Sequence, residues 1–77
     1  MSRRKNPPRL YAVCTDNKGY EASLEVAKLY QIVPDADAEA DGMLRVIDNS
    51  GEDYLFEETR FYRVELPLAL VRELYAR

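Results

Sequence analysis

The sequence predicts a mainly β domain: a small five-stranded barrel finished by a short C-terminal α-helix. Three observations carry that expectation. Short apolar segments of strand length recur between Leu10 and Glu65. Turn residues that tolerate positive φ, Asp16-Asn17-Lys18-Gly19 and Asn49-Ser50-Gly51, punctuate them. After Pro67 the apolar spacing becomes helical, with Leu70, Val71 and Leu74 on one stripe.

Each element follows from its residues. Arg3, Arg4, Lys5 and Arg9 crowd the start of the chain, and Pro7-Pro8 ends a segment (residues 1–8) that reads as a disordered basic tail. The remainder, residues 9–77, is short enough for one domain only. The first strand spans Leu10 to Thr15, with Leu10, Ala12 and Cys14 on one face and Tyr11, Val13 and Thr15 on the other. Gly19 to Lys28 is read as a long loop against the barrel, although its Glu, Ala and Leu also favour helix. The second strand is Leu29 to Val33, stopped by Pro34, which has no N–H for the ladder. Asp35 to Gly42 is an acidic connection, and Met43 to Asp48 the third strand. A tight hairpin leads to the fourth strand, Glu52 to Phe56; one helical turn over Glu57 to Arg60 then turns the chain into the last, Phe61 to Glu65. The helix over 67–76 is too short to stand alone, so it docks on the open end of its own barrel or joins two subunits.

Composition limits the function classes. The first nine residues hold four of the eleven basic residues and none of the fourteen acids, which leaves residues 10–77 at a formal charge of −7. Such a body repels nucleic-acid phosphate unless its cations gather on one face. Cys14 is alone, so no disulfide forms within the chain, and its isolation fits a reducing, cytoplasmic setting. No signal peptide and no membrane span is expected. With no His in the chain and no imidazole beside Cys14, catalysis lacks its commonest base; no enzyme, catalytic residue or cofactor is expected.

The pattern Lys28-x-Tyr30-x-Ile32, then Val46-x-Asp48-x-x-Gly51-Glu52-x-Tyr54-x-Phe56, then Phe61-x-x-Val64 resembles a broad set of small bacterial and phage proteins with an SH3-like barrel. Cys14 to Leu24, with the later Val-Glu-Leu-Pro, looks like a narrower uncharacterised bacterial family within that set. The resemblance spans most of Leu10 to Leu66 and implies a fold but no activity. Signalling SH3 domains, which bind proline-rich helices over a tryptophan, are similar in topology only: this chain has no Trp, and Glu57-Glu58-Thr59-Arg60-Phe61 replaces their Pro-x-x-Tyr turn.

The residues point to a protein-binding or regulatory module that uses the first long loop, through Asn17, Tyr20, Glu21 and Ser23, to take a protein partner of basic character as a monomer or weak homodimer. Tyr20 could equally staple that loop to the barrel. Tyr30, Tyr54, Phe56 and Phe61 are assigned to the core or its rim, and Tyr11, Tyr20 and Tyr62 to the surface. A second reading is a nucleic-acid accessory barrel using the tail with Arg45, Arg60 and Arg63, which requires the three arginines on one face around an exposed aromatic. A third is a calcium loop, since Asp37-x-Glu39-x-Asp41-Gly42 matches EF-hand positions one, three, five and six. Strands on both sides, where helices belong, count against it.

Overall fold

A computed structural model describes residues 10–75 of the chain; the expected tail and the last residue of the helix expected over 67–76 lie outside them. Among the described residues there are five antiparallel strands: β1 (Leu10–Cys14), β2 (Leu29–Val33), β3 (Met43–Ile47), β4 (Asp53–Glu57) and β5 (Phe61–Glu65). They form one sheet in the order β4-β3-β2-β1-β5. A short helix α1 (Ala36–Ala40) lies between β2 and β3, a single 3-10 turn (Glu58–Arg60) precedes β5, and α2 (Leu68–Tyr75) ends the described chain. The mainly β expectation with a C-terminal helix therefore holds; β4 and β5 are the two edges of the sheet, and among the described residues no ladder joins them.

The sheet turns within β2. Leu29, Tyr30 and Gln31 pair with β1, whereas Ile32 and Val33 pair with β3. The inward residues meet across the strands: Cys14 faces Phe61, Ala12 faces Tyr30, Ile32 faces Val46 and Leu44 faces Phe56. Together with Leu24 from the first loop these residues form the main core. Phe56 and Phe61, one from each edge strand, stand 6.1 Å apart at 63°, so side chains span the gap that hydrogen bonds leave open. Burial raises the Cys14 thiol above its ordinary value, as suits an inert core residue.

Two aromatic assignments change. Tyr11 is buried rather than exposed (6%), although it lies on the face opposite Ala12. Ala38 of α1 and Val71 of α2 are likewise buried outside the main core. Tyr54 is half exposed (50%) rather than core. It pairs with Val46 on its inner side, but β4 is an edge strand with no neighbour beyond. Val71 is fully buried by its own chain, which seats α2 on its own domain, while Leu70 and Leu74 of the same stripe stay exposed.

The acidic connection is also not a plain loop. Asp35 caps α1, its Oδ1 accepting from the Ala38 N–H at 3.1 Å, and its Oδ2 accepts from Arg45 Nε at 2.7 Å. These bonds, the backbone one first, hold the Asp35 carboxyl below its ordinary 3.8. Gly42, at φ +76, ends the turn where a side chain is disfavoured. Among the described residues no helix is long and apolar enough to cross a membrane.

Candidate functional site

The first loop (residues 15–28) contains turns and no helix, and the fold ties it down at several points. Tyr20 N–H donates to the Asn17 carbonyl at 2.8 Å, Leu24 N–H donates to the Tyr20 carbonyl at 2.8 Å, and Asn17 Nδ2 donates to the Leu24 carbonyl at 2.9 Å. Arg60 Nη1 reaches the Lys18 carbonyl at 2.9 Å, and its guanidinium lies 4.7 Å from the Tyr20 ring centre. Tyr20 also meets Phe56 edge-on at 5.1 Å. The loop closes on β1 through Ala27, which sits at φ +74 so that its N–H can donate to the Cys14 carbonyl at 2.7 Å. A non-glycine residue there carries backbone strain that the surrounding bonds must hold.

A second set of bonds ties this loop to the β3–β4 turn. Asn49 N–H donates to the Ser23 carbonyl at 2.9 Å. Asn49 Oδ1 accepts from the Tyr30 hydroxyl and from Lys28 Nζ, both at 2.8 Å. The same Tyr30 oxygen accepts from Glu25 N–H at 2.7 Å. The turn is organised by Asp48, whose Oδ1 accepts from Ser50 N–H at 2.9 Å and Ser50 Oγ at 2.6 Å. Gly51, at φ +87, supplies the positive φ that the hairpin requires.

Between loop and hairpin lies a cleft of about 340 Å³. The loop contributes Tyr20 and Ser23, the turn contributes Asp48 and Ser50, and β4 contributes Tyr54, Leu55 and Phe56. The Tyr54 hydroxyl donates to Glu52 Oε1 at 2.9 Å, and that bond holds it above its ordinary 10.0. The cleft thus combines aromatic surface, two hydroxyl residues and carboxylate, a lining that suits recognition of a polar or cationic group with an apolar stem.

Of the four loop residues expected at a site, two line this cleft and two do not. Tyr20 and Ser23 are in its wall. Asn17 braces the loop from inside, and Glu21 accepts from the Gly19 N–H at 3.2 Å on the exposed outer side. The hairpin half of the cleft escaped the sequence reading, although Asp48-x-Ser50-Gly51 carries the signature of a side-chain-capped turn.

The remaining candidates are placed as follows. Asp37 and Glu39 fall on α1 and Asp41 closes it, so their side chains fan around a helical turn instead of converging. Among the described residues no three metal-ligating side chains come together, and Glu39 pairs with Arg63 at 3.6 Å. Arg45 is held by Asp35 and Asp53 (2.7 and 3.5 Å), and Arg60 by Glu57 and Asp16 (2.7 and 3.6 Å). The three arginines therefore belong to three separate carboxylate sets, and a phosphate would have to displace acids at each. No family model, curated protein or solved structure matches the chain.

Proposed function

We propose that the chain is a non-enzymatic, SH3-like barrel module that binds a segment of another protein in the cleft between its first loop and its β3–β4 hairpin. The observation that carries this reading is the cleft itself, walled by half-exposed aromatics from two segments that are cross-bonded into one unit. Tyr20 (37%) and Tyr54 (50%) keep apolar area on the surface that the core does not use. Because loop and hairpin are braced in advance, binding orders little new chain and so costs little entropy. The barrel part of the reading is supported by the turn of the sheet within β2 and by the Phe56–Phe61 contact between the edge strands.

Selection of random dodecapeptides on the immobilised domain tests the reading. Enriched peptides are expected to shift backbone amide resonances of Ser23 and of residues 48–56 in a titration. Tyr20→Ala and Tyr54→Ala should each weaken them about tenfold or more, the loss typical of an aromatic anchor. Peptides that map to another face, or that bind both variants as well as the parent, refute it.

A further inference from the structure

Resting on that reading, we infer that the cleft is built around one cation, and that its anchor is the arginine side chain of the partner segment. Asp48 is the one charged residue buried among the described residues, only 6% exposed. Its Oδ1 has two donors, both from Ser50. Its Oδ2 accepts no hydrogen bond from the described residues and is not among their enclosed unpartnered atoms, so it stays open to solvent, and none of their lysines or arginines lies within ion-pair distance of it. That carboxylate, one oxygen held by Ser50 and the other open, stands in the wall of the cleft beside Tyr20, Tyr54 and Phe56.

Arginine fits this lining better than lysine. Its planar guanidinium can lie on an aromatic face while its N–H fork meets carboxylate oxygens, whereas an ammonium is compact and keeps its water more tightly. The domain already uses that arrangement once: Arg60 lies over Tyr20 with Glu57 bonded to its Nε at 2.7 Å. Glu52, which does not line the cleft, holds a second carboxylate against the hydroxyl of Tyr54, which does. The −7 formal charge of residues 10–77 would draw a basic segment toward this site from a distance.

The test uses the full chain and two small probes, N-acetyl-arginine methylamide and its citrulline counterpart, which has the same shape without the charge. Amide resonances are followed as each probe is added to tens of millimolar. The arginine probe is expected to shift Ser23 and residues 48–54 in a saturable way, with citrulline at least about tenfold weaker, since charge-assisted hydrogen bonds are lost. Asp48→Asn keeps the oxygen that Ser50 bonds and removes the charge; it should abolish the preference for arginine while the rest of the amide spectrum stays in place. Glu52→Gln, outside the cleft wall, serves as the second variant and should weaken the arginine probe less than Asp48→Asn does. Equal binding of both probes, or an arginine preference that survives Asp48→Asn, overturns the inference but leaves the peptide-binding module standing. Selected dodecapeptides that occupy the cleft without any basic residue do the same. Failure of those peptides to reach the cleft at all would remove the module reading itself.

Discussion

Removing a single oxygen from Tyr30 tests how the candidate site is held together. The ring is 4% exposed and belongs to the main core, where it meets Phe61 edge-on at 6.5 Å. Tyr30→Phe keeps that packing and deletes only the hydroxyl that accepts from Glu25 N–H and donates to Asn49 Oδ1. Each lost bond is worth about 1 kcal/mol net, and an N–H left without a partner adds to the loss where water cannot reach it. Glu25 and Asn49 are both surface residues, so water recovers part, and the expected loss is about 1.5 kcal/mol. For a domain of this size that is a fall of roughly 6–12 °C in Tm, a large share of about 4–12 kcal/mol in total. Urea unfolding followed by circular dichroism measures it, with an unchanged m-value showing that stability alone has moved. A cycle with Asn49→Ala should give a coupling of about 1 kcal/mol, and the Glu25 amide should exchange faster in Tyr30→Phe. A loss below about 0.5 kcal/mol with no coupling would refute the claim that this hydroxyl joins loop to hairpin.

Three further outcomes follow from the same structure. Ala27→Gly relieves the φ +74 strain but loosens the unfolded chain, and should stabilise by about 0.5 kcal/mol; destabilisation in urea melts would show that the loop does not hold this conformation. Asp35 and Glu57 are both held below their ordinary values of 3.8 and 4.5, Asp35 first by the Ala38 N–H and Glu57 first by Arg60. Their contribution is therefore complete above those values and lost as pH falls through the lower folded ones; the urea midpoint should drop below about pH 4, less steeply in Asp35→Asn, and equal slopes would count against the cap. Val71→Ala should cost about 2 kcal/mol without changing the molar mass seen by light scattering, because its methyls are buried by its own chain; a shift from dimer to monomer would place α2 between subunits instead.

Period-two apolar spacing and turn chemistry were enough to place all five strands to within a residue or so, because those signals are local. Leu44 and Val46 must share a face, and Gly51 must turn the hairpin, whatever lies around them. The helix α1 was also written locally, in the Asp35 cap, the alternating alanines and Gly42, but the same residues read as a solvated acidic loop until Arg45, ten positions on, is seen bonded to the cap. Burial at the sheet's edges was beyond local reading. Tyr11 and Tyr54 have equally good strand contexts, yet one lies in a central strand and the other on an edge, a difference set by strand order alone. The cleft had the same origin. Tyr20 announced itself as an aromatic in a long loop, whereas its partners Asp48 and Tyr54 lie roughly thirty residues away in the sequence. Only the folded chain brings them together, through Asn49 and Tyr30, and only there does the Asp48 carboxylate share a wall with Tyr20 and Tyr54.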